Sequence, residues 1–161
     1  GDQLSDEEMV EAMIELLLPQ TTILTPNSLE ARRLAQDEDD DSQPSQEACA
    51  HQLLKAGAEH VLITGTHENT PQVINTLYGS HGAVRTDRWE RLPGSYHGSG
   101  CTLASAIAAH LASGVNVADA VMGAQEFTWR TLAAGFRPGM GQFIPDRLFW
   151  SREEGDEDDE S

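Results

Sequence analysis

Hydrophobic residues recur along this chain at two spacings, and the changes between them mark its elements. Ser5-Asp6-Glu7-Glu8 reads as a capping box opening a helix to about Leu18, with Met9, Met13, Leu16 and Leu17 expected to face inward and Pro19 to stop it. The β-rich runs Thr22-Ile23-Leu24-Thr25 and His60-Val61-Leu62-Ile63-Thr64 predict two short buried strands. Between them come a helix from Pro26 to about Ala35, an acidic surface loop from Gln36 to Gln43, and a helix over Gln46 to Ala56 that stops at Gly57. This order predicts a layered α/β domain with parallel strand pairing. Val73 to Tyr78 and Ala83 to Leu92 alternate across Gly79-Ser80-His81-Gly82, the pattern of an antiparallel hairpin at a sheet edge.

The most apolar stretch is Cys101 to Ala112. Leu103, Ile107 and Leu111 repeat every four residues there, with Ala104, Ala106, Ala108 and Ala109 between them, which predicts a helix lying deep in the protein. Asn116 and Asp119 open a further helix, with Val121, Ala124, Phe127 and Leu132 on its inner face and Gly135 at its end. A second glycine-rich loop, Pro138-Gly139-Met140-Gly141, leads to a short closing helix over Asp146 to Trp150. Two parallel strands and a hairpin make a thin sheet for helices this apolar, so self-association of copies is expected.

Composition narrows the function. The net charge of −17 is concentrated in two runs, five acids over Asp37 to Asp41 and seven over Glu153 to Glu160. Without those twelve, fifteen acids face ten basic residues, so the folded part is only mildly acidic and presents no basic face for nucleic acid. A chain of 161 residues suits one domain, read as 1–150, with 151–161 as a solvated acidic tail. No leader or long apolar span is visible, which predicts a soluble cytoplasmic protein without membrane partners, and the first residue, Gly1, fits an excised segment. Cys49 and Cys101 show neither metal spacing nor a disulfide framework. The six histidines share no metal spacing either, and the three tryptophans read as packing.

The candidate chemistry lies where the loop Pro93-Gly94-Ser95-Tyr96-His97-Gly98 meets the apolar helix. A first turn of Gly98-Ser99-Gly100-Cys101 offers free backbone N–H groups, no bulky side chains and the positive end of the helix dipole, which suits a phosphate. Two glycines also simply let a loop turn into a helix. A thiol at a helix N-terminus has its thiolate favoured, although a small cysteine on a buried helix also serves as packing. Asn27-Ser28-Leu29-Glu30, after the first strand, has the spacing of another N-terminal capping box.

His97-Gly98-Ser99-Gly100-Cys101-Thr102-Leu103 resembles the signature of the hydroxymethylpyrimidine/phosphomethylpyrimidine kinases of thiamine synthesis, in the ribokinase-like superfamily. The resemblance runs from about Gly1 to Trp150 and covers only the C-terminal portion of such an enzyme. It implies a ribokinase-like layered sandwich with a mainly parallel sheet and an edge hairpin. The N-terminal half, with most of the pyrimidine pocket, lies outside this chain.

The resemblance further implies ATP and Mg²⁺ as cofactors and a small pyrimidine as substrate. Gly98, Ser99 and Gly100 would form the anion hole, and Cys101 stands where most of the superfamily keeps an aspartate as general base. Asn27 and Glu30 match the element that orders Mg²⁺, while Thr64, Gly65, Arg137 and Gly139 match positions near ATP. Two lysines common in such kinases are replaced here by Thr64 and by the Arg137 run. Lys55 is the only lysine in the chain, so charge compensation is expected from Mg²⁺, helix dipoles or an arginine such as Arg137. The alternatives are a pyridoxal-type vitamin kinase and a noncatalytic truncated module.

Overall fold

The computed structural model describes residues 6–35 and 44–153. The Ser5 cap, the loop from Gln36 to Gln43 and most of the acidic tail lie outside the described residues. By internal contacts the chain divides into two compact units, Gly1–Glu90 and Arg91–Ser161.

In the first unit, helix α1 (Asp6–Ala12) continues through a π-helical turn, Met13–Leu17, and a 3₁₀ turn, Leu18–Gln20. Strand β1 (Ile23–Leu24) is followed by α2 (Ser28–Ala35), α3 (Gln46–Lys55), β2 (His60–Thr64), β3 (Gln72–Gly79) and β4 (Gly82–Glu90). The sheet order is β1-β2-β3-β4. β1 and β2 run parallel, with Ile23 opposite His60 and Leu24 opposite Val61. Backbone bonds Glu59 N to Thr21 O and Thr64 N to Pro26 O carry this pairing beyond the two-residue strand. The expected hairpin forms and extends β2 antiparallel, so the sheet among the described residues is mixed, with β4 at its edge. The α/β class and the parallel pair are as the apolar runs predict.

Val61, Ile63 and Tyr78 pack with Ala31 of α2 and with Cys49, Ala50 and Leu53 of α3 in one buried cluster. Because side chains alternate along a strand, Leu62 and its register partner Leu77 occupy the opposite face of the sheet, and both are buried. Burial pushes the Cys49 thiol above its ordinary pKa, as its place in this cluster requires.

The inward face of α1 differs from the expectation. Met9, Met13, Leu16 and Leu17 are exposed, Leu18 is buried, and Ile14 packs on the core cluster. Val10, Ile14 and Leu18 follow the same i, i+4 spacing as Met9, Met13 and Leu17, so periodicity alone could not choose between neighbouring lines.

In the second unit, α4 (Ser99–Ala112) packs along α5 (Val117–Ala133), whose first turn is capped by the Asn116 side chain accepting from Asp119 N. Thr102, Leu103 and Ile107 are buried, whereas Ala104, Ala108, Ala109 and Ala112 are exposed. The apolar composition of α4 therefore overstates its burial among the described residues. Alanine is a strong helix former whether or not it is covered. On α5, Val121 and Ala124 are buried as expected, together with Ala120, Gln125, Thr128 and Thr131, while Phe127 and Leu132 are half-buried.

The chain then doubles back beside this helix pair. Phe136 and Ile144 exchange backbone hydrogen bonds, and Asp146 N donates to Thr131 O at 2.9 Å. Phe149 is buried with its ring centroid 5.9 Å from that of Phe127, and the Arg130 guanidinium lies 4.5 Å above it. The closing helix begins later than expected. Asp146 Oδ1 accepts from Leu148 N and holds a turn there, and α6 spans Trp150–Glu153.

Candidate active site

The sequence-predicted residues fall into two groups, one in each unit. In the first unit, Asn27 leaves the β1 side of the parallel pair and forms an isolated bridge with Thr64, the last residue of β2. Asn27, Glu30, Thr64 and Gly65 are thus gathered at the carboxyl ends of two parallel strands, where open α/β sheets bind their ligands.

Asn27 and Glu30 complete the capping box. Asn27 Oδ1 accepts from Leu29 N and Glu30 N, both at 3.0 Å, and Asn27 N donates to Glu30 Oε2 at 2.9 Å. Both lone pairs of the Asn27 amide oxygen are therefore used by the helix. Glu30 Oε1 has no hydrogen bond among the described residues, and the side chain is exposed. No cluster of three His, Cys, Asp or Glu side chains that could hold a metal occurs among the described residues. This donor set fits Mg²⁺ held by one carboxylate oxygen, with water and nucleotide phosphates supplying the rest.

Gly65 is buried, and both its backbone polar groups are engaged. Its N–H donates to Asn75 Oδ1 at 3.1 Å, and its carbonyl accepts from Glu68 N at 3.1 Å. A Cβ there would collide with the Ile74 carbonyl oxygen, so glycine is required by close packing of two backbones. Gly65 thus shapes the close approach of this loop to β3. The loop it opens is tied to α2 by Arg32 Nη2, 2.9 Å from Glu68 Oε1. The Ser28 hydroxyl and the Arg32 guanidinium hold the Glu68 carboxyl below its ordinary range. Of the two, the Arg32 contact has hydrogen-bond geometry, while the Ser28 hydroxyl is buried without a partner in such geometry.

In the second unit, Gly98 takes φ +87° and is the N-cap of α4, a left-handed conformation that favours glycine. No side chain caps the helix. Ser99, Gly100 and Cys101, its first three helical residues, keep unpaired N–H groups among the described residues, as an uncapped first turn must. A Cβ on Gly100 would meet nothing within 4 Å, and Cys101 is exposed, so this end of the helix is open to a ligand.

A remote segment, not legible in the sequence, holds this turn. Phe143 N donates to Ser95 O at 2.8 Å, His97 N donates to Phe143 O at 2.9 Å, and Gln142 Nε2 donates to Ser95 Oγ at 2.5 Å. The Thr102 hydroxyl donates to Gly98 O at 2.8 Å, and Arg147 Nε donates to the Thr102 oxygen at 3.0 Å. Arg137, by contrast, closes its own loop: Nε donates to Gly141 O at 2.6 Å and Nη2 to Met140 O at 2.7 Å. Its guanidinium also lies 5.8 Å from the Phe143 ring centroid. Gly139 sits exposed inside that loop. No helix among the described residues is long and apolar enough to cross a membrane.

Comparison with known proteins identifies the family. The family model for phosphomethylpyrimidine kinase matches residues 1–146. A hydroxymethylpyrimidine/phosphomethylpyrimidine kinase of Rhizobium meliloti is 33% identical over 147 residues, which are 88% of this chain and 53% of that protein. The enzyme of the same name from Mycobacterium tuberculosis is 38% identical over 151 residues, 92% of this chain and 54% of its own length. Among solved structures, Staphylococcus aureus pyridoxal kinase in complex with AMP-PCP and pyridoxal is similar, with a TM-score of 0.82 and 28% identity over 92% of this chain and 56% of that one. This chain spans about half the length of the relatives it matches. The family model covers most of the chain and the α/β fold agrees with the ribokinase-like neighbours, so the chain belongs to the phosphomethylpyrimidine kinase family.

Proposed function

We propose that the protein carrying this chain transfers the γ-phosphoryl group of ATP first to hydroxymethylpyrimidine and then to its monophosphate, as a cytoplasmic enzyme of thiamine synthesis. The observation that carries this reading is the open first turn of α4, three unpaired N–H groups with Cys101 among them, in a chain of this family. Backbone donors fixed in place before reaction stabilise negative charge spread over three phosphoryl oxygens without reorganising during transfer. Cys101 receives the proton of the attacking alcohol as general base.

Bound Mg²⁺ supplies charge neutralisation on the nucleotide phosphates. Glu30 would hold the hydrated ion through Oε1, and Asn27 fixes the Glu30 backbone by capping α2. Thr64 and the loop around Gly139 match, by the family resemblance, positions near ATP, while Gly65 and Arg137 each shape the loop they belong to. The exposed line Met9, Met13, Leu16 and Leu17 supports association of copies, which sedimentation of the intact protein measures.

The similarity to a pyridoxal kinase solved with pyridoxal favours one second reading, a pyridoxal-type vitamin kinase. Competition between hydroxymethylpyrimidine and pyridoxal in a nucleotide-coupled assay on the intact protein separates the two. A higher kcat/KM for the pyrimidine supports the first reading, a higher value for pyridoxal the second, and turnover of neither leaves a noncatalytic module.

A further inference from the structure

Phosphoryl transfer needs positive charge beside the anion hole, and this chain lacks the lysines that such kinases commonly use. Lys55, the only one, is exposed on α3 in the first unit. Within the second unit, Arg137 spends Nε and Nη2 on carbonyls of its own loop, and Arg130 lies over Phe149.

Arg147 is placed differently. Its Nε donates to Thr102 Oγ1, whose hydroxyl is in turn bonded to Gly98 O, so the guanidinium is anchored on the first turn of α4. A Cβ built on Gly98 would stand 3.1 Å from Arg147 Nη2 and 4.0 Å from Pro145 Cδ, which places the Nη edge directly against the αL residue of the turn. Arg147 is exposed, and its two Nη groups have no hydrogen-bond or ion-pair partner among the described residues. The neighbouring carboxylate, Asp146, is buried and turned to Leu148 N. One anchor at Nε leaves a planar fork of donors free, the geometry that matches two oxygens of a phosphate.

We propose that Arg147 is a catalytic residue of the anion site, with its Nη groups binding phosphoryl oxygens beside the N–H groups of Ser99, Gly100 and Cys101. The proposal rests on the kinase reading above and goes beyond it by assigning the cation that replaces the missing lysines. Glycine at position 98 then has two reasons: its φ of +87°, and the space the guanidinium occupies. Thr102 is a positioning residue, since it is buried and links Arg147 to the turn.

The test compares Arg147→Gln, Arg147→Lys and Thr102→Val with the wild type, all in the intact protein. Three quantities are read: kcat/KM for ATP, the affinity for inorganic pyrophosphate at two salt concentrations, and the melting temperature. Losing a charged hydrogen bond to phosphate should cost Arg147→Gln roughly 10- to 100-fold in kcat/KM and in pyrophosphate affinity, with little change in melting temperature. Its salt dependence should also be weaker, and Arg147→Lys should recover part of the loss. Thr102→Val, which keeps the charge but frees the anchor, should fall between. Unchanged turnover and pyrophosphate affinity in Arg147→Gln would overturn the proposal. So would losses that track a lower melting temperature and are not recovered by lysine. If the wild type phosphorylates neither a pyrimidine nor pyridoxal, the kinase reading has failed, and the pyrophosphate comparison alone then decides whether Arg147 serves an anion site.

Discussion

Asn27 and Glu30 hold each other by reciprocal hydrogen bonds: Asn27 N donates to Glu30 Oε2 at 2.9 Å, and Glu30 N donates to Asn27 Oδ1 at 3.0 Å. One pair of residues thus caps a helix and leaves a single carboxylate oxygen exposed beside the end of β2.

The two roles separate by substitution. Asn27→Ala removes the acceptor of two N–H groups and should cost about 1 kcal/mol of stability, whatever the Mg²⁺ concentration. Glu30→Gln keeps an oxygen for Asn27 N–H, so it should change stability little while raising the Mg²⁺ concentration needed for half-maximal turnover. Denaturant melts and Mg²⁺ titrations of the intact protein check both. A destabilised Glu30→Gln with unchanged Mg²⁺ dependence would reduce Glu30 to a cap.

Cys101 should matter to one step of the proposed reaction and not the other. In the first step the nucleophile is an alcohol whose proton must be taken up. In the second it is a phosphate monoester, whose second pKa is about 6, so it is mostly ionised at neutral pH. Cys101→Ala should therefore slow the first step by roughly 10²–10⁴-fold and the second far less. Measuring the two half-reactions separately checks this. Equal losses would mean that Cys101 acts on the transferred group or on the turn.

The Arg32–Glu68 contact predicts a particular dependence on pH. Because the Ser28 hydroxyl and Arg32 lower the folded-state pKa of Glu68 below its ordinary value of 4.5, its stabilising contribution is fully present above 4.5. It is lost as pH falls through the lower, folded value. The stability difference between wild type and Glu68→Gln should accordingly be constant near neutrality and shrink as pH falls below 4.5. Urea melts across this range measure it, and a difference independent of pH would assign the contribution to packing instead of charge.

Local patterns carried much of the fold. A continuous β-rich run located β2, period-2 alternation the hairpin, the Gly57 stop the end of α3, the Asn116–Asp119 cap α5, and the glycine turn before Cys101 the open start of α4. These features depend on residues within one or two turns of each other, so a sequence displays them directly. The inner face of α1 was not legible, since Met9-Met13-Leu17 and Val10-Ile14-Leu18 have the same spacing and only contact with the α3 and β2 side chains selects one.

The sequence by itself determined the family signature, the glycine turn at 98–100 and the Asn27–Glu30 cap, because each is a short-range consequence of residue type. Only the tertiary structure decided which arginine stands at the first turn of α4. Arg137 and Arg147 are equally charged and only ten residues apart. The backbone bonds of Phe143 and Asp146 send the chain back past α5, spend Arg137 on its own loop and bring Arg147 to Thr102, 45 residues earlier in the chain.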